Sequence, residues 1–271
     1  MIYAAFTMWL VLTVFAGIGV YRMWSALGKP MWVNWALLPG TLVAQMAYIF
    51  GCLITGGEVR SAKIAPTKGD GAGGAPKMAD SPKLKVIGPV VSSLMVLVAC
   101  GAATLAVHKA LGKPVMERFS GGESSVFSYS KTSSTELPKD LPRSWQAGWE
   151  LAGQQLQLVK HTCETWWGLE WANWRVALFV YLAICLAVRL GPVSQPIRPT
   201  LAAVCAIAGV IAIIGATSKG FSDLMDDIWP LLTYVWATLL TLLAGTLAVL
   251  GAVELWRILT GKEKGMKKKR T

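Results

Sequence analysis

Few side chains in this 271-residue sequence are able to do chemistry, and they are widely spaced. Asn34, Gln45 and Tyr48 bring amide and phenol groups into an apolar run at residues 33–55. Such groups trade hydrogen bonds but do not move protons near neutral pH, which suits either an inter-helix bond or a polar groove for another chain. His161, Cys163 and Glu164 carry metal-capable atoms, yet a His and a Cys two apart on a helix point in different directions. His108 is distant from them in the chain. Asp223, Asp226 and Asp227 are placed to satisfy the free N–H groups at the start of the last helix, and the short turn offers a divalent cation too few other oxygens. Glu254 and Arg257, three apart, suit an interfacial ion pair. Cys52, Cys100, Cys185 and Cys205 fall in apolar runs, where a thiol behaves as a small hydrophobe, and Cys163 does not suggest redox work. These residues imply no catalytic group, no bound metal and no cofactor.

The elements that carry these groups follow from composition. Hydrophobic residues make up 54% of the chain and charged residues 15%, with a mean hydropathy of +0.49. Soluble chains carry about a quarter charged residues, so an ordinary soluble enzyme is excluded. The net charge of +11 is distributed between long apolar runs rather than over a folded face. That distribution fits membrane topology and argues against a nucleic-acid partner.

A helix needs about 20 apolar residues to cross a hydrocarbon core of roughly 30 Å. Six runs qualify, at residues 2–24, 33–55, 86–107, 171–190, 200–218 and 228–253. The first starts at the initiator Met without a basic leader or a cleavage site, and reads as a retained helix. The fourth holds Arg175 and Arg189 near its ends, with 13 uncharged residues between them, and spans only if both arginines snorkel to opposite interfaces. The expected fold is therefore all-α and polytopic, with about six transmembrane helices.

Charge orients these spans. Arg60, Lys63, Lys68, Lys77, Lys83 and Lys85 lie between spans two and three, and Lys262, Lys264, Lys267, Lys268, Lys269 and Arg270 form a basic tail. Basic segments stay in the cytoplasm, and the tail suits anionic headgroups of the bilayer. Six alternating spans then place both termini in the cytoplasm of a bacterial-type inner membrane. Trp24, Trp32, Trp35, Trp166, Trp167, Trp171, Trp174 and Trp229 gather at the outer interface in this arrangement. Leu-Gly-Lys-Pro recurs at 27–30 and 111–114, a helix stop that falls on that same outer side both times.

The organisation is then spans one and two at residues 1–56, a Gly- and Pro-rich cytoplasmic linker at 57–85 and span three at 86–108. An outer segment at 109–170 follows, then spans four to six at 171–259 and the tail at 260–271. In the outer segment Trp145, Trp149, Leu156, Val159 and Cys163 recur at helical spacing, giving a Trp-rich amphipathic helix that lies along the membrane face or rises from it.

The stretch at residues 38–59, Leu-Pro-Gly-Thr-Leu-Val-Ala-Gln-Met-Ala-Tyr followed by an apolar run and a Gly-Gly turn, resembles the site-2-protease-like membrane zinc metallopeptidases. In that family a Pro-Gly entry precedes a helix bearing H-E-x-x-H. The motif places two imidazoles one helical turn apart and a carboxylate that takes a proton from metal-bound water. Ala44 and Tyr48 stand where the histidines would be, and Gln45 where the glutamate would be. The resemblance covers roughly 40 residues and implies a degenerate member. Such a member is a non-catalytic scaffold that binds other membrane proteins through a groove around Asn34, Gln45 and Tyr48. The alternatives are a transporter or channel subunit, for which intramembrane charge is sparse, and a structural component of a membrane assembly.

Overall fold

The computed structural model describes residues 2–28, 30–57, 87–120, 137–138, 144–191, 197–217 and 221–259. Among these, every regular element is an α-helix: α1 Ile2–Leu27, α2 Pro30–Ala36, α3 Leu38–Ile54, α4 Ile87–Leu111, α5 Lys113–Ser120, α6 Trp145–Gly168, α7 Trp174–Arg189, α8 Ile197–Thr217 and α9 Phe221–Leu259. Four stretches are long and apolar enough to cross a bilayer: Tyr3–Leu27, Ile87–Leu111, Arg198–Gly215 and Ile228–Trp256. The chain is an all-helical, multi-pass membrane protein by these criteria.

Two of the six expected spans are shorter than anticipated. The run at 33–55 breaks at Leu37, whose φ of −96° and ψ of 20° leave the helical basin, so α2 and the 17-residue α3 are separate helices. Pro39 sets this entry, since its ring suits the first turn of a helix and it has no N–H to donate to the Trp35 carbonyl and continue α2. Helix α7 has only 16 residues.

Side-chain contacts fix the directions of the helices. Phe6 packs on Trp229, Trp9 on Trp236 at 5.4 Å between ring centroids, and Gly19 lies beside Leu243. Further along, the Trp24 indole donates to Thr246 at 2.9 Å. Residue numbers rise together, so α1 and α9 run parallel. Helix α7 shares that direction, with Phe179 on Tyr234 and Ala187 against Gly17. Helix α8 opposes it, because Tyr3 reaches the Gly215 carbonyl. Helix α4 also opposes it: its Cys100 meets the Arg189 carbonyl, and Gly112, just past its end, meets Phe179.

Six alternating spans require the first and last helices to be antiparallel, and they are not. The physical reason is the second apolar run. The Ala36 carbonyl accepts from Tyr181 and Cys185, midway along α7, while Gly51 lies against Ser92 near the start of α4. Helices α2 and α3 thus meet at mid-depth, and α3 returns toward the end of the bundle where α1 finishes. This hairpin does not traverse the bundle, so α4, α7, α8 and α9 each run, relative to α1, in the sense opposite to that of six alternating spans.

Two expectations change with it. The Leu-Gly-Lys-Pro stops do end helices, with Gly28 and Gly112 each bonding back to the carbonyl four residues earlier, but at opposite ends of the bundle. The tryptophans form two groups rather than one outer belt. Trp24 and Trp32 lie toward the end where α1 stops, Trp35 lies deeper beside Ala36, and Trp171, Trp174 and Trp229 lie at the other end.

Close helix crossings hold α3 in place. A Cβ at Gly40 would collide with the Cys185 carbonyl, and one at Gly51 would come within 2.7 Å of the Ser92 Cα. Small residues let backbones approach where lipid supplies no hydrophobic drive for association. Elsewhere the interior is aromatic, with Trp9, Trp229, Tyr234 and Phe179 almost fully buried. The Trp9 and Trp229 indoles bond the carbonyls of Pro138 and Leu137, and so pin that short piece across the start of α1 and α9.

Candidate functional site

The break at Leu37 carries α2 into the bundle and turns Asn34 toward α1 and α7. Asn34 is 3% exposed, and its Oδ1 accepts from the Tyr21 hydroxyl at 3.0 Å and from Nη2 of Arg189. Arg189 is itself 5% exposed, and its Cζ lies 4.6 Å from the centroid of the Tyr21 ring. Arg189 therefore does not snorkel to an interface. Helix α7 ends while still inside the bundle, where Gly191 abuts Val14 and Ile18 of α1. Arg175, at the other end of α7, is exposed and stacks over Trp174, as a snorkelling residue should.

The cluster holds a cation with neutral partners. An aromatic face and an amide oxygen stabilise a guanidinium, but they do not neutralise it. Nε of Arg189 is buried without a hydrogen-bond partner, and among the described residues no carboxylate pairs with the group. The sequence explains this lack, since residues 1–57, 87–116, 171–222 and 228–253 contain neither Asp nor Glu. Chemically the arrangement presents a desolvated donor edge for an anion.

The other positions singled out from sequence fall as follows. Ala44 and Tyr48 pack against the core formed with Val96, Leu97 and Cys185, and Gln45 is half-buried on α3. Asn34 engages α1 and α7 instead, across the Leu37 break from these three. His161 and Cys163 diverge on α6: the His161 ring packs on Phe119 and contacts its carbonyl at 2.9 Å, whereas Cys163 is exposed. Among the described residues no three His, Cys, Asp or Glu side chains come together. The backbone at Asp223, Asp226 and Asp227 belongs to the first two turns of α9, which starts at Phe221, and their side chains lie outside the described residues. Glu254 is exposed on α9, and the Arg257 side chain also lies outside the described residues. So do the basic clusters of the linker and the tail.

Helix α6 exposes Trp145, Trp149, Leu156 and Cys163 of the expected stripe on one side, with Trp167 beyond them, while Val159 is half-buried. Its other face is held by Leu158, Thr162 and Thr165, and by a bond from the Trp236 indole to Gln155.

Sequence reasoning missed Tyr21 and took Arg189 only for a snorkelling residue at a helix end. The signal that points to them is the acid-free composition of the apolar segments, which leaves an arginine inside such a run with no acidic residue in the neighbouring segments. Comparison with family models, curated proteins and solved structures returns no match. The functional reading therefore rests on residues and geometry.

Proposed function

We propose that this chain is a non-catalytic scaffold that binds other membrane proteins in an inner membrane of bacterial type. The observation that carries the reading is the posture of α3. Its Gly40 and Gly51 face is clamped on α7 and α4, so that Leu42, Met46, Phe50 and Leu53 form an outward stripe with half-buried Gln45 beside it. A helix fixed on one side and apolar on the other offers another transmembrane helix a rigid surface. The degenerate site-2-protease resemblance fits this role. Ala44 has no ligand atom, Gln45 is not a general base, and a Tyr48 phenol is a poor zinc ligand, so the helix retains a binding surface without hydrolytic groups.

The orientation we propose follows from charge and packing together. The ends of α3 and α9 and the start of α4 share one end of the bundle, and the basic linker and tail adjoin them. That end faces the cytoplasm, the N-terminus faces the opposite side, and α6 lies along the outer surface with its tryptophans toward lipid.

A photo-reactive amino acid at Phe50 tests the scaffold reading in intact membranes. Discrete protein adducts that disappear with Gln45→Leu or Tyr48→Leu are expected. Adducts to lipid alone, or protein adducts indifferent to both substitutions, would overturn it.

A further inference from the structure

Arg189 poses a problem that the described residues do not solve. A guanidinium removed from water is costly unless it is paired, and a charge inside a bundle marks a functional site by default. The Arg189 carbonyl lies 3.9 Å from the Cys100 thiol, and Cys100 sits near the middle of Ile87–Leu111. At a rise of 1.5 Å per residue, that point is roughly 17–20 Å from either end of α4. The guanidinium itself lies against Tyr21, within two helical turns of the end of α1, so a headgroup would have to sink by roughly 9 Å to reach it. No Asp or Glu occurs in the sequence segments that pack at this depth.

We propose that Arg189 is the receptor for a carboxylate carried within the bilayer by the transmembrane helix of a partner protein, an assignment that rests on the scaffold reading above. The geometry of the donor edge supports it. Nε and Nη2 share one edge of the guanidinium; Nη2 is taken by Asn34 and Nε is empty. Asn34 Oδ1 already serves the Tyr21 hydroxyl as well, so a single amide oxygen satisfies two donors and leaves a third unmet. A carboxylate sets two oxygens against that edge and meets both guanidinium donors at once. Asn34 rides on the seven-residue α2, separated from α3 by the break at Leu37, so it can yield without dislodging α3. The approach is along the seam of α2 and α7, where Trp35 and Tyr181 are exposed and the Tyr181 hydroxyl bonds the Ala36 carbonyl.

The test uses the full-length chain in phosphatidylcholine nanodiscs. The probe is a synthetic, lysine-flanked, leucine-rich transmembrane peptide with a single central Glu, compared with the same peptide bearing Gln. Energy transfer between labelled protein and labelled peptide reports association. The Glu peptide is expected to bind at least about ten times tighter than the Gln peptide, an advantage abolished by Arg189→Gln and kept by Arg175→Gln. The Glu-to-Gln change is made in the probe, so this comparison stands even if Arg189→Gln fails to fold. Equal binding of the two peptides overturns the proposal, as does an advantage that survives Arg189→Gln. So does binding that requires phosphatidylglycerol regardless of the peptide residue, which would mark a headgroup site. Protein adducts at Phe50 without a Glu advantage would remove only the Arg189 assignment. A Glu advantage without such adducts would remove only the α3 surface.

Discussion

The ring of Tyr21 lies beneath the guanidinium of Arg189 at 4.6 Å, while its hydroxyl bonds the same Asn34 oxygen that Arg189 uses. One side chain thus supports the buried cation twice, through its π-face and through its hydroxyl. Tyr21→Phe keeps the first contact and removes the second, and is expected to lower stability by about 1 kcal/mol. Tyr21→Leu removes both and is expected to lower it by about 1–2 kcal/mol more. Thermal unfolding of the purified protein in detergent orders the variants; equal loss in both would mean that the ring contact contributes nothing.

Gly40 and Gly51 set how closely α3 approaches α7 and α4. Gly40→Val forces a branched side chain into the Cys185 carbonyl, and a loss of about 3 kcal/mol or more is expected, at the upper end of overpacking effects. Gly101→Val, where a Cβ meets nothing within 4 Å, is the matched control. Comparable melting temperatures for the two variants would contradict the close crossing.

Trp9 connects α1 to α9 through Trp236 and to the piece at 137–138 through the Pro138 carbonyl. Trp9→Ala empties a nearly inaccessible site and is expected to cost about 3–5 kcal/mol. Trp167→Ala, at 93% exposure on α6, is expected to leave the melting temperature of the detergent-solubilised protein unchanged. A similar fall for both would show that the buried aromatic cluster is not what holds these helices.

The parallel course of α1 and α9 is tested by membrane-impermeant cysteine labelling in cells. Single cysteines at Ser61, in the linker, and at Thr271 are expected to react from the cytoplasmic side. Cysteines at Ser125 and next to Met1 are expected to react from the outer side. Labelling of the N-terminal cysteine with the linker cysteine would restore six alternating spans.

The helical character of the chain and the helix stops at Leu-Gly-Lys-Pro were legible because each rests on local spacing. The hairpin of α2 and α3 was not. Residues 33–55 have the length and apolarity of a span, and the Pro39-Gly40 pair inside them does not by its type fix an angle between two helices. Only the bonds from Tyr181 and Cys185 to the Ala36 carbonyl, 145 and 149 residues apart in sequence, reveal that α2 stops at mid-depth. Arg189 was misread for a related reason. Snorkelling assumes that a helix end coincides with a membrane surface, whereas α7 ends beside Val14 and Ile18. Asn34 was recognised as a polar residue in an apolar run, but its partners come from Tyr21 and Arg189, which local spacing did not connect to it.

The scaffold reading is tested most directly by photo-crosslinking from Phe50 in native membranes, with Gln45→Leu as the paired variant. Discrete protein adducts in the parent chain, lost in the variant while expression and melting temperature hold, are the expected result. Adducts to lipid alone, or protein adducts untouched by Gln45→Leu, would contradict it.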